Sequence, residues 1–179
     1  QGKIEAVDGV EETMKMTWFG GYYKETSNMF AQFAVDSDRI EMVYPEIKIV
    51  SGSWDEFRIS RTACLIGKDT AAKYGWSVGQ RIPLMGAIYP RSDGSAWEFD
   101  VAAIYDSVGA SIDDTTLFFH WTYLDEAMRA DAASGPGGIG VYTVLVSDDA
   151  DPLLVGANID ALFENGPQRV QASSEAEFN

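Results

Sequence analysis

The run Arg61-Thr62-Ala63-Cys64-Leu65-Ile66-Gly67 is continued by Ala71-Ala72-Lys73-Tyr74-Gly75-Trp76-Ser77-Val78-Gly79-Gln80-Arg81-Ile82-Pro83-Leu84. It is closed by Trp97-Glu98-Phe99-Asp100-Val101-Ala102-Ala103-Ile104-Tyr105. Ala63 to Gly67 is a short uninterrupted apolar run, the pattern of a strand buried on both faces. Asp69 is placed to cap a helix over Thr70 to Tyr74, and Gly75 stands where a left-handed residue ends one. Val78-Gly79-Gln80 turns the chain into Arg81 to Met85, where Pro83 lacks an amide donor and predicts an edge strand. Pro90 to Ser95 is a dense turn cluster. Trp97, Phe99, Val101, Ala103 and Tyr105 then alternate along a strand. Its other face begins polar with Glu98 and Asp100 and ends apolar with Ala102 and Ile104. The segment therefore reads as strand, helix, and a strand-turn-strand pair.

Outward from this centre, Met14, Met16 and Trp18 alternate with Lys15 and Thr17, predicting a strand over Glu11 to Tyr23 that Gly20-Gly21 interrupts. Met29 to Val35 is apolar on both faces and belongs centrally in a sheet. Asp38 to Tyr44 reads as a short helix capped by Asp38 and bounded by Pro45. Ile47 to Val50 follows as a strand, and Ser51-Gly52-Ser53 as a turn. Ser107 to Thr116 is polar and flexible. A helix is expected from Trp121 to Ala132, with Leu124, Ala127 and Met128 at helical spacing. Ser134 to Gly140 is a glycine-rich loop, and Val141 to Val146 a buried strand. Asp151-Pro152 opens a helix that buries Val155, Ile159, Leu162 and Phe163, and Asn165-Gly166-Pro167 stops it. Gln168 to Ala172 is a candidate last strand.

The chain has 179 residues, enough for one compact domain or two small subdomains. Apolar residues make up 46% and charged residues 23%, so a packed core is expected. Thirteen basic against 28 acidic residues give a net charge of −15. That charge repels phosphate backbones and anionic headgroups, which counts against nucleic-acid partners and polybasic membrane docking. A single cysteine, Cys64, excludes an internal disulfide, and a single histidine, His120, excludes paired-His metal motifs. No stretch approaches the ~18–20 apolar residues of a spanning helix, so the segment as given is expected to be a soluble body.

Motifs that carry chemistry are weak. Gly135-Pro136-Gly137-Gly138-Ile139-Gly140 has the letters of a dinucleotide loop, but helix precedes it and strand follows, the reverse of what places a helix N-terminus at a pyrophosphate. Asp55-Glu56, Asp113-Asp114 and Asp148-Asp149 with Asp151 are the densest acidic groups; they read as solvated surface and helix caps rather than paired catalytic carboxylates. His120, between Phe119 and Trp121, reads as a packed core histidine. Cys64, between Ala63 and Leu65, reads as a buried, inert thiol. No catalytic, cofactor or metal residue is assigned.

The run from Arg61 to Leu84, with its x-x-Val78-Gly79-Gln80-x-Ile82-x-Leu84 core, and the Phe99-x-Val101-x-Ala103-Ile104-Tyr105 strand resemble the MacB/FtsX-like ABC transporter permeases. Gln80 stands where that family usually has Asp, and Ala103 where it usually has Gly. Tyr123-Leu124-Asp125-Glu126-Ala127, Ile159 to Phe163 and Ser174 to Phe178 match more loosely. The resemblance implies an extracytoplasmic, MacB-type periplasmic core domain at the outer face of the bacterial inner membrane, inserted between two transmembrane helices. It implies an α+β fold of two subdomains. The larger, porter-like one has βαβ-type units built from both chain ends, residues 1–60 and 108–179. The smaller, strand-rich, Sabre-like one is inserted as residues 61–107, with Trp97 and Phe99 in or beside its core.

The function so implied is mechanical: coupling ATP-driven motion of membrane helices to recognition or export of a periplasmic cargo or partner. The domain itself would be no enzyme and hold no cofactor, with ATP on a separate nucleotide-binding subunit or domain. Expected partners are the permease's own membrane helices, indirectly the ABC ATPase, and a periplasmic protein, peptide or lipid cargo. A dimer is expected in the full transporter and a monomer for the isolated domain. With no basic patch, partner binding is expected on the two flexible loops, at Ser107, Val108, Ile112, Pro136 and Ile139. Both chain ends should leave on one side, with Ile4 and Val7 facing inward. The alternatives are an acid-dependent secreted or periplasmic hydrolase and a stand-alone ligand-binding sensor domain.

Overall fold

An eleven-residue strand, β7 below, is the spine of this computed structural model, which describes residues 1–178. In chain order the elements begin with α1 (Gly2–Glu5), β1 (Val10–Trp18), β2 (Gly21–Tyr22), β3 (Gln32–Val35), α2 (Ile40–Val43), β4 (Ile47–Gly52) and α3 (Trp54–Ile59). The central group is β5 (Ala63–Gly67), α4 (Lys68–Tyr74), β6 (Arg81–Gly86) and β7 (Trp97–Ser107). Then come β8 (Leu117–His120), α5 (Trp121–Arg129), β9 (Val141–Val146), α6 (Pro152–Phe163) and α7 (Glu175–Phe178). The nine strands form one mixed sheet in the order β2-β6-β7-β5-β8-β3-β1-β9, with β4 also paired to β7. The fold is α+β, as the resemblance implies.

Along one edge of β7 two strands lie end to end. β6 pairs with Trp97 to Asp100 and β4 with Ala103 to Ser107. On the other edge β5 runs parallel, placing Cys64 opposite Val101 and Leu65 opposite Ala103. Ala102 is thus an extra residue, a bulge that turns the strand's facing. The consequence is visible in the packing: Trp97, Phe99 and Val101 join one apolar cluster, whereas Ala103 and Tyr105 join the other. The alternating stripe read from the sequence is therefore buried throughout but changes sides of the sheet halfway.

The two clusters lie on opposite faces, because consecutive residues of β5 alternate between them: Cys64 and Ile66 in the first, Ala63 and Leu65 in the second. Ala71 of α4 and Leu124 and Ala127 of α5 cover the first face. Ile40 and Val43 of α2 and Phe57 of α3 cover the second. Both clusters mix residues from 61–107 with residues outside: Phe19 and Phe119 pack with Trp97 and Phe99, and Phe118 packs with Tyr105. A third, smaller cluster joins Ile4 of α1 to Val155 and Ile159 of α6, with Val7 and Val10 packed alongside.

Several local expectations are corrected. Arg39, not Asp38, occupies the N-cap of α2, and Gly67, not Asp69, that of α4. The turn at Ser53 starts a helix instead: Ser53 Oγ accepts the Glu56 amide at 3.1 Å as an N-cap, and the Ser53 hydroxyl donates to Glu56 Oε2 at 3.2 Å. Leu117 to His120, assigned to no element from the sequence, is a fully buried strand. β9 is an edge strand, half-buried, because only β1 pairs with it. Gln168 to Ala172 is no strand; the segment runs along α6, where the Ala172 amide donates to Asp160 Oδ1 at 2.6 Å. Gly75 at φ +68 and the Asp151 cap on Leu153 are as the spacing requires. Of the segment from Glu175 to Asn179, expected to run back on the side of the N-terminus, the last residue, Asn179, lies outside the described residues.

Candidate functional site

The groups with the most chemical potential are held in structural roles. His120 is buried, and its Nε2 lies 2.6 Å from the carbonyl of Phe57. A carbonyl only accepts, so Nε2 carries the proton. Burial pushes the His120 pKa down, and the bond to Phe57 opposes that only in part. Cys64 is fully buried in the first cluster, and burial drives its thiol far above the usual range, so no thiolate nucleophile forms there. Among the described residues no three His, Cys, Asp or Glu side chains gather as a metal site.

The acidic pair Asp113-Asp114 organises a loop. Asp113 Oδ1 accepts the amide and hydroxyl of Thr115 and the hydroxyl of Thr116. Burial works against ionisation of Asp113, yet these bonds outweigh it and its pKa falls below the ordinary value. Asp114 accepts the Ser107 amide at 2.6 Å and faces Lys68 at 3.3 Å. Tyr105 Oη reaches the Asp113 carbonyl at 2.7 Å. The stretch Ser107 to Thr116 is thus tied to β7 and α4 at several points, where the sequence suggested a flexible segment.

The residues expected to bind a partner do not converge. Ser107 and Val108 lie at the C-terminal end of β7, where the Val108 amide donates to the Glu46 carbonyl. Pro136 lies near its N-terminal end, in one cleft with Tyr89, whose carbonyl accepts from Trp97, whereas Ile139 adjoins Gly140, whose amide donates to Thr17 of β1. An eleven-residue strand separates the two ends by roughly 33 Å. Ile112 is corrected outright as a surface residue: it is buried in the second cluster with Tyr105 and Phe118. Val108 and Pro136 are exposed and Ile139 is half-buried.

Two shallow clefts flank these loops. One, of about 280 Å³, is lined by Tyr89, Trp121, Leu124, Met128 and Pro136, with Asp125 and Arg129 at its edge. The other, of about 450 Å³, is lined by Pro45, Ile47, Ile49 and Trp54, with Glu41 and Lys48. Neither gathers the convergent polar groups of a small-molecule site. The larger exposed apolar feature is on α6, where Leu153, Leu154 and Leu162 face solvent. Sequence reasoning expected Leu162 inward and overlooked Leu153 and Leu154, although two leucines off the Val155 stripe were themselves the signal.

A mixed sheet of this order, flanked by helices on both faces, is the fold of extracytoplasmic domains from ABC transporters. The extracellular domain of the noncanonic ABC-type transporter YknZ from Gram-positive bacteria superposes with a TM-score of 0.60 at 13% identity, over 96% of this chain and 83% of that one. The periplasmic region of MacB from Actinobacillus actinomycetemcomitans gives 0.59 at 11% identity, over 91% and 70%. A domain from Porphyromonas gingivalis described as part of a permease gives 0.56 at 14% identity, over 97% and 84%. No curated protein matches the chain by sequence.

Residues 1–162 match the sequence profile of the MacB-like periplasmic core domain, and the chain belongs to that family. The family is that of the periplasmic domains of MacB/FtsX-like ABC transporter permeases, which places this chain in an extracytoplasmic class. No helix among the described residues is long and apolar enough to cross a membrane.

Proposed function

We propose that this domain is the periplasmic transmission element of an ABC transporter permease at the inner membrane. It couples ATP-driven motion of the permease's membrane helices to recognition or export of a periplasmic protein, peptide or lipid. ATP is hydrolysed on a separate nucleotide-binding subunit, and the domain itself catalyses nothing. Two copies act together in the full transporter.

The observation that carries this reading is mechanical continuity. Ile4 near one end of the chain and Val155 and Ile159 near the other share one apolar cluster, seated beside the paired strands β1 and β9. From there hydrogen-bonded strands run unbroken to β6 and β2. A displacement applied to the terminal segments is passed into a close-packed body rather than absorbed by loops. The experiment places spin labels at exposed Ile59 and Leu153 in the full permease, reconstituted with its ATPase. Distances between protomers should change on ATP binding, while the Ile59–Leu153 distance within a protomer should stay constant. Inter-protomer distances indifferent to ATP would overturn the reading.

A further inference from the structure

The helix α6 is mostly apolar, with Asn158 and Asp160 as its polar residues, but is covered on only one side. Val155 and Ile159 are buried against Ile4. At 100° per residue, Leu153, Ala157 and Ala161 form a row on the opposite side with Leu154 beside it, while Leu162 falls on the Val155 side and is exposed at the helix's C-terminal end. All five are exposed, Leu153 at 79% and Leu154 at 59%. The C-terminal segment does not hide them. It passes along the flank of Gly156 and Asp160, with Ala172 bonded to Asp160. A helix this apolar normally sits in a core, so the outer row is a surface awaiting a cover.

The charge around the row selects that cover. Ser147 to Gly166 contains five acidic residues, Asp148, Asp149, Asp151, Asp160 and Glu164, and no Lys or Arg. Asp148, Asp149 and Asp151 are exposed at the start of the helix and Glu164 at its end. A second copy packed helix to helix would set acid against acid in either orientation, between bodies that each carry −15. An anionic membrane surface is repelled for the same reason. A protein surface with an apolar centre and Lys or Arg at its margins meets both the leucines and the acids.

We propose that the outer face of α6 docks a partner protein through a basic amphipathic segment, which lays its apolar side on Leu153, Leu154, Ala157 and Ala161 and its cations on the acidic ends. This gives the recognition role proposed above its partner class and rests on that role. The test is made on the isolated chain, so a failure of docking leaves the ATP-driven motion standing, and the reverse.

The probe is a fluorescent helical peptide of Leu and Lys, about fourteen residues long, with all its leucines on one face. Its counterpart carries Glu in place of Lys. The chain is compared with a Leu153→Gln, Leu154→Gln variant, which keeps the charge, and with an Asp148→Asn, Asp149→Asn, Glu164→Gln variant, which keeps the apolar row. Melting curves confirm that both fold. The Leu/Lys peptide should bind the unaltered chain about tenfold or more tightly than either variant, and about tenfold more tightly than the Leu/Glu peptide binds. A Leu/Lys peptide that does not distinguish the chain from the leucine variant, including one that binds neither, overturns the proposal. So does a dimer in sedimentation, or binding to phosphatidylglycerol vesicles, that the leucine variant abolishes.

Discussion

Trp97 donates its indole N–H to the main-chain carbonyl of Tyr89 at 2.7 Å, closing the turn between β6 and β7 from inside the core. Trp97 is fully buried, edge-on to the rings of Phe19 and Tyr123. Tyr89 in turn lies so close to Gly135 that a Cβ there would meet its ring at 2.5 Å. Trp97→Ala should therefore destabilise by about 3–5 kcal/mol. Trp97→Phe should cost less, but leave the Tyr89 carbonyl without its donor at about 1–3 kcal/mol. Denaturant midpoints read both; an unchanged midpoint for Trp97→Ala would show that this packing is absent.

Gly67 is required for contact rather than for conformation. Its φ of −66° suits any residue, but a Cβ would lie 2.0 Å from the carbonyl oxygen of Asp114. Both partners are backbone, held by the Gly67 amide to Thr116 and the Asp69 amide to Asp114. Neither can yield cheaply, so Gly67→Ala should cost about 3 kcal/mol, at the upper end for overpacking. Gly137→Ala, where a Cβ meets nothing within 4 Å, is the control and should leave stability within about 0.5 kcal/mol. Equal melting temperatures for the two variants would contradict the close approach.

These particulars show what the sequence discloses. β5, the Gly75 cap and the Asp151-Pro152 start obey rules that act within a few residues, and all three are legible. β8 is not, because Leu117 to His120 runs into Trp121 without alternation or a turn to divide strand from helix. α3 was signalled only by Ser53 and Glu56, three apart, and the charged residues between them read as turn. Val141 to Val146 has the composition of a central strand, and only the order of strands makes it an edge. The candidate site fares worse for the same reason. Ile112 looked like an exposed loop residue until β7 and β8 closed over it. The outward leucines of α6 look like core until the direction of its packing is known.

His120 makes stability depend on pH. Burial lowers its folded pKa below the unfolded value of about 6.5, with the charge of Asp38 opposing in a minor way. Between the folded and unfolded values the unfolded chain binds more protons, so stability rises with pH there. Its contribution is full above about pH 6.5 and is lost as pH falls towards the folded value. Asp100, held low by Arg81, and Asp113 act at lower pH, losing their contribution only as pH falls through their own depressed values. His120→Gln, which keeps a donor for the Phe57 carbonyl, should flatten the melting temperature between pH 7 and 5.5. A slope as steep as that of the unaltered chain would assign the dependence to other groups.

The C-terminal segment is held to α6 by a bond that can be removed without touching the core. Asp160 Oδ1 accepts the Ala172 amide at 2.6 Å, and the side chain of Ala172 fits beside Gly156, whose absent Cβ would sit 3.4 Å from it. Asp160 lies on the flank of α6, away from the buried Val155 and Ile159. Asp160→Ala removes an acceptor of the charged kind, worth about 1.5–3 kcal/mol to the segment it holds. That energy secures only local structure, because the segment has no strand pairing of its own. Hydrogen exchange at Ala172 should therefore quicken about tenfold or more, while amides of β5 and β7 keep their rates. Gly156→Leu should act similarly by filling the space that Ala172 occupies. If both substitutions leave Ala172 exchanging at its original rate, the segment is anchored elsewhere; if β5 and β7 quicken as well, it belongs to the global folding unit rather than lying upon it.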